Sequence, residues 1–229
     1  MRRVCFYLSI AALTALVVWL TFTGRLQNYL LVSWTVAFAA LALFFTQYER
    51  RRPALQDMMP IVIVVCVASL GRALFNFIPQ LQPVTALVMI MGVCSGPPAG
   101  FMTGALSALT SNMLLGQGPW TVWQMLAWGL IGLLSGFLGK TRAFRNRWAL
   151  AGVSVLAGAF YSVVVDIWTV ASLGGEMAPG AVLAVFVTGL LFSVPHMAGN
   201  FIFILLLYKP IAKKLDRVAR KYGILLQKY

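Results

Sequence analysis

Charge is what this 229-residue chain has least of: lysine, arginine, aspartate and glutamate make up 10% of it, against 61% hydrophobic residues. Soluble domains carry about 25% charged residues, so the composition implies an integral membrane protein. Histidine occurs once, which rules out haem held between two histidines. No HExxH pattern, glutamate pair or other paired carboxylates offer metal or acid–base chemistry. Cys5, Cys66 and Cys94 stand singly in apolar runs, without the spacing of a metal site or redox pair, and read as small packing residues. A Gly-x-x-x-x-Gly-Lys-Ser/Thr phosphate loop is also missing. The chain therefore cannot hydrolyse ATP by that route, and any active transport must take its energy from another protein.

What is present is a series of apolar runs. A span of hydrocarbon needs roughly 20 such residues, so the length allows about eight helices with short loops. The runs predict spans at about 4–23, 28–47, 60–78, 84–96, 100–115, 121–139, 148–172 and 180–208. With that division nearly all the basic residues fall on one side: Arg2 and Arg3, Arg50 to Arg52, Lys140, Arg142, Arg145 and Arg147, and a tail from Lys209 to Lys228. The positive-inside rule makes that side cytoplasmic, with both termini there. The net charge of +13 is then topological and does not point to nucleic acid. Arg2 and Arg3 before an apolar run resemble a signal peptide, but the run continues through Leu20 without a small-residue cleavage site, so it reads as an anchor.

Three regions follow. Residues 1–57 form an N-terminal transmembrane hairpin and cytoplasmic loop, with Pro53 after the arginines favouring a helix stop. Residues 58–208 form a six-span core that holds nearly all the embedded polar groups. Residues 209–229 place Ile211, Leu215, Val218, Tyr222 and Leu225 on one helical face opposite lysines and arginines. This is a basic amphipathic tail suited to anionic headgroups or to a cytoplasmic partner.

Within the core, Gly92, Gly96, Gly100, Gly104, Ala108, Asn112 and Gly116 recur every four residues, the spacing of a small-xxx-small face for close helix approach. Gly96-Pro97-Pro98 ends the preceding span early, because proline has no amide donor. A polar-aromatic run follows from Gly116 to Met125. Its tryptophans, Trp120 and Trp123, fit an interfacial belt, yet Asn112, Gln117 and Gln124 are interleaved with them, and indole stacking with amide hydrogen bonding suits a flat ligand. Arg72 and Asp166 each lie six residues from the outer end of a predicted span, about 9 Å deep. Equal depth lets them pair as a buried ion pair, or face a solvated pocket with Glu176 above as a second carboxylate. His196, far along the last predicted span, reads as a deep interhelical hydrogen-bonder. Gly92-Val93-Cys94-Ser95-Gly96 approaches the Gly-x-Ser-Gly of intramembrane serine proteases, but the first glycine is one residue too early. An enzyme and a ligand-free structural subunit remain the rival readings.

Gly71-Arg72-Ala73-Leu74-Phe75 with Ile78-Pro79, then Gln82-Pro83-Val84, the block from Ser111-Asn112 to Trp128, and His196-x-x-Gly199-Asn200 together resemble the substrate-binding S-components of energy-coupling factor (ECF) vitamin transporters. The likeness runs from about Pro60 to Leu215. It implies an all-α polytopic fold with a six-helix core, in the plasma membrane, and no catalytic or metal site. It also implies a vitamin captured from outside, a transmembrane scaffold subunit, and two partner ATPases that hydrolyse the ATP, with no cofactor on this chain. The Gly116 to Gln124 block looks most like members for cobalamin and related corrinoids. Carried over by position, Arg72, Gln80, Asn112, Gln117, Trp120, Trp123, Gln124, Asp166 and Glu176 are the candidate substrate contacts. Two features depart from the family pattern. Ser69-Leu-Gly-Arg-Ala73 stands where an Ala-x-x-x-Ala docking motif is expected, with Ala11-x-x-x-Ala15 only in the hairpin, and the first two spans are extra.

Overall fold

A computed structural model describes residues 34, 35, 38, 39, 41, 42, 45 and 46, then 55–173 and 178–222. The first predicted span, the Arg50–Arg52 loop, the Ala11/Ala15 pair, Glu176 and residues 223–229 lie outside the described residues. From residue 55 the chain folds as α1 (Leu55–Leu74), α2 (Val84–Ser95), α3 (Pro97–Leu115), α4 (Trp120–Leu138), a 3-10 turn (Arg142–Arg145), α5 (Arg147–Ser172), α6 (Pro179–Phe192) and α7 (Val194–Tyr222). No strand occurs among the described residues. Gln56–Leu74, Trp120–Leu138, Arg147–Ser172 and the stretch Pro179–Tyr222 are long and apolar enough to cross a membrane, with Val84–Ser95 a shorter apolar helix. The protein is thus an all-helical polytopic membrane protein.

Local chemistry sets the boundaries. The short α2 stops at Gly96, whose φ of 92° reverses the chain, and α3 restarts at once with Pro97 at a position that needs no amide donor. Asn146 caps α5 by accepting a hydrogen bond from the Trp148 amide at 3.0 Å. Pro119 flanks the start of α4, and Pro179 is the first residue of α6, where no amide donor is needed.

The stripe of small residues works as a close-packed wall. α3 and α4 make the most extensive helix contact of the fold, and α2 packs on α4 beside it. A Cβ on Gly100 would collide with the Gly132 carbonyl, and one on Gly104 with the Trp128 carbonyl, so two backbones touch without side chains between them. Around that wall, α1 covers α3, α5 lies along α4, and α7 packs on α5 and α2. Phe101, Leu87, Met89, Ile90, Trp128, Leu150 and Ile204 fill the interior. Phe45, from the helical residues before 55, meets the Phe101 ring edge-on at 6.4 Å. Large apolar side chains on α1 and throughout α6 are exposed, as lipid-facing surfaces would be.

Two expectations need correction. The last predicted span is not one straight helix: it breaks at Ser193, where α6 ends and α7 begins, because Pro195 cannot donate the amide bond that would carry the helix through. As a result His196 is not remote from the loop after α1; its ring contacts the Gln80 carbonyl there. The basic stretch after Lys209 continues α7 through Pro210 to Tyr222, and its apolar face is packed inward at Leu215 and Ala219. At this basic end the Gly139 backbone meets that of Val93, which brings the ends of α2 and α4 together. The loops 75–83 and 116–119 lie at the other end of those helices.

Candidate functional site

At the end opposite the basic residues, a polar cluster joins α1, α3 and α4. Arg72 is in the last turn of α1, where a cation also favours the helix C-terminus. Its Nη1 donates to the Asn112 Oδ1 at 2.6 Å and the Ser111 Oγ at 2.7 Å, both on α3. Asn112 is the hub: its Nδ2 donates to the Gln124 Oε1 at 2.8 Å and the Thr121 Oγ1 at 2.9 Å on α4. Thr121 in turn donates to the Gln117 Oε1 at 2.8 Å, and the Gln117 amide reaches back to the Leu109 carbonyl at 3.2 Å. Burial of these groups is tolerable because each polar atom of the hub has a partner.

A second chain of contacts runs inward from the same arginine. The guanidinium carbon lies 5.1 Å above the Trp128 ring, a cation–π contact at a fully buried indole. Tyr161 of α5 also packs on Trp128, stacked at 4.6 Å with 27° between planes. The indole Nε1 donates to the Thr85 Oγ1 at 2.9 Å, and Thr85 lies 3.0 Å from the His196 Nε2. His196 therefore belongs to the same connected structure as Arg72, although they are far apart in sequence.

A cavity of about 200 Å³ opens beside the cluster, lined by Arg72, Asn76, Gln80, Gln82, Gln124 and Tyr161 together with Phe75 and the turn at Ile78 to Leu81. Its walls offer a cation, four amides, a phenol and one aromatic face in one small space. Two of the five N–H donors of Arg72 are engaged, both by neutral oxygens, and the other polar groups of the wall are uncharged.

Of the sequence-derived candidates, Arg72, Gln80 and Gln124 line this cavity, Asn112 stands directly behind it, and the exposed Gln117 joins the hydrogen-bonded network only through Thr121. Trp120 is 41% exposed at the start of α4, with its ring over Gly118, and Trp123 is buried away from the cavity lining, its indole nitrogen without a partner. The expected pairing of Arg72 with Asp166 is not formed. Arg72 turns toward α3, whereas Asp166 accepts from Ser162 Oγ at 3.3 Å on its own helix and packs against Gly189 of α6. Matching depth fixed one coordinate; the direction each side chain takes around its helix differs.

Sequence reasoning missed Ser111, Thr121, Thr85 and Tyr161. Thr121 had a detectable signal, since it is three residues before Gln124 on one face of α4 and close in sequence to Gln117 in the preceding loop. Ser111 and Thr85 had none, because lone serine and threonine hydroxyls in apolar helices usually bond their own backbone, as Thr103 does to Ala99 at 2.8 Å, and Tyr161 looks like any aromatic residue of an apolar helix. Ser95 lacks a catalytic neighbour among the described residues: its hydroxyl points to the Met91 sulfur at 3.5 Å, while His196 is engaged elsewhere.

Fold and site together define a membrane-spanning helical subunit with a polar chamber at one end. The sequence model for the S component of ECF-type riboflavin transporters matches residues 58–217, more than half of the chain, and the protein belongs to that family. It is accordingly a substrate-specific subunit that works with an ECF module to move a small molecule, a transporter component and not an enzyme. No solved structure matches the chain.

Proposed function

We propose that this subunit captures riboflavin, or a closely related flavin, from the outer face of the plasma membrane. The observation that carries this reading is the cavity bounded by Arg72, Gln80, Gln124 and Tyr161, in which Asn112 holds the Arg72 and Gln124 side chains in place. A flavin presents a pyrimidine-dione edge that both donates and accepts, a flat apolar ring, and a hydroxylated chain. Gln124 and Arg72 suit the first, Tyr161 and Phe75 the second, and Asn76, Gln80 and Gln82 the third. Membership of the riboflavin-transporter S-component family supports the same choice.

Size separates this ligand from the corrinoid that the Gly116–Gln124 block suggested. Sites for drug-sized ligands measure roughly 300–1,000 Å³, already more than the cavity here. A tricyclic vitamin needs loop 75–83 to open for entry and to reclose around it; a corrinoid several times heavier requires the helices themselves to part. In this reading the basic end is cytoplasmic, both termini lie inside, and a transmembrane scaffold with two ATPase subunits supplies the energy. The chain itself then needs no cofactor.

Riboflavin titrated into the purified protein should lose fluorescence saturably, as its ring stacks on an aromatic side chain. The Gln124→Ala and Tyr161→Ala double variant should weaken binding by about 100-fold or more, the loss expected for two central contacts. Cobalamin binding with no flavin response would replace this ligand with the corrinoid, and unchanged flavin affinity in the double variant would remove the cavity from the binding site.

A further inference from the structure

The loop between α1 and α2 forms one wall of the cavity, and it contains the one backbone position among the described non-glycine residues with positive φ, Gln80 at 63°. A glutamine rarely adopts that conformation unless its surroundings hold it there. Two local bonds, Ile78 amide to Phe75 carbonyl at 2.9 Å and Leu81 amide to Ile78 carbonyl at 3.2 Å, shape the loop on either side. Among the described residues, a hydrogen bond to Gln80 from outside the loop comes from α7, where the His196 Nδ1 lies 3.2 Å from the Gln80 carbonyl.

The directions of these bonds are fixed by chemistry. A carbonyl oxygen can only accept, so the histidine Nδ1 must carry the proton. The neutral ring then has a bare Nε2, which accepts from the Thr85 hydroxyl at 3.0 Å. Thr85, with its one hydroxyl hydrogen already committed to that bond, accepts from the Trp128 indole, a pure donor, at 2.9 Å. The chain from Trp128 through Thr85 and His196 to Gln80 therefore runs in one direction, with no competing arrangement of protons at either end. It begins under the ring that carries Arg72 and ends on the loop that closes the cavity.

We propose that His196 is a positioning residue: through its Nδ1 proton it latches loop 75–83 in the conformation that walls the cavity, with Thr85 and Trp128 fixing the tautomer that allows it. The consequence for ligand retention rests on the cavity being the capture site described above; the latch itself does not.

Backbone hydrogen exchange of the ligand-free protein tests the latch directly. His196→Gln places its amide near Nε2 and leaves the Gln80 carbonyl without a donor, whereas the shorter His196→Asn keeps an N–H near Nδ1. Exchange at the Ile78 and Leu81 amides should accelerate about five- to tenfold in His196→Gln, the loss of one hydrogen bond, and change little in His196→Asn. Equal behaviour of the two variants, in either direction, would overturn the assignment. Since the chain has a single histidine, nitrogen NMR of imidazole-labelled wild-type protein gives a check that no folding defect can obscure. A protonated Nδ1 with bare Nε2 is expected, and the opposite tautomer would exclude the latch. With riboflavin added, His196→Gln should release it about five- to tenfold faster than wild type. Accelerated loop exchange without any flavin binding by the wild type would leave the latch standing and refute the flavin reading alone.

Discussion

α4 and α6 are both apolar helices, yet they are built by opposite rules. α4 buries twelve of its residues, from Thr121 to Gly136, and does so by letting backbones touch at Gly132 and at the Trp128 carbonyl while Gln124 and Trp128 turn their polar atoms into the network. α6 buries none of its fourteen residues and meets chiefly α5, at the Asp166–Gly189 contact. The difference shows that apolar content in a membrane helix does not say whether it builds the interior. Leucine is as content in lipid as in protein; what commits a helix to the inside is small residues that permit close approach and polar groups that lipid cannot satisfy.

The contrast breaks most visibly at its tightest point. Gly132→Leu would drive a side chain into the Gly100 carbonyl and the Val88 side chain, and backbone cannot move aside as a flexible side chain can. We expect a loss of about 3 kcal/mol or more, seen as failure to purify as a monodisperse protein or as a much lowered melting temperature in detergent. The matching change on α6, Leu191→Ala at a residue 66% exposed, should stay within about 0.5 kcal/mol of wild type. Comparable losses in the two variants would dissolve the distinction.

The next effect comes from the polar side of the interior. Asn112→Leu keeps the volume but removes the acceptor for Arg72 and the donors to Gln124 and Thr121 at one stroke. Interhelical hydrogen bonds in membranes average well below what isolation in hydrocarbon suggests, so we expect about 2 kcal/mol for the three together. Equilibrium unfolding in micelles measures this. A loss under about 0.5 kcal/mol would show that the network satisfies itself without its hub.

How far the sequence discloses this architecture follows from the same contrast. The early end of α2 is written in Gly96-Pro97-Pro98, and the wall is written in the four-residue spacing of Gly100 and Gly104, because both act through the backbone of their own helix. Arg72 and Gln124 stand out because charge and amides are rare among apolar residues. Contacts between helices are another matter. Nothing local marks Thr85 as the bridge between Trp128 and His196, and a single threonine at the head of a helix looks like any other. The break at Ser193 was hidden for a related reason. Pro195 announces a kink, but not that the kink turns His196 toward a loop rather than leaving it deep in the last span.

Arg72 and Asp166 provide the finest test of that lesson, and the smallest expected effect. Were they an ion pair, removing one partner would leave a buried charge alone and cost about 3–5 kcal/mol, and the two substitutions would be strongly coupled. In the fold described here they have separate partners, Ser111 and Asn112 for the arginine and Ser162 for the aspartate. Arg72→Gln, Asp166→Asn and the double variant should therefore form a double-mutant cycle with coupling under about 0.5 kcal/mol. Asp166→Asn alone should be mild, since its remaining side-chain oxygen still accepts from Ser162. A coupling above about 1.5 kcal/mol would mean that α5 and α1 face each other through these charges, and the separation between a polar, ligand-facing interior and a lipid-facing α5–α6 edge would have to be redrawn.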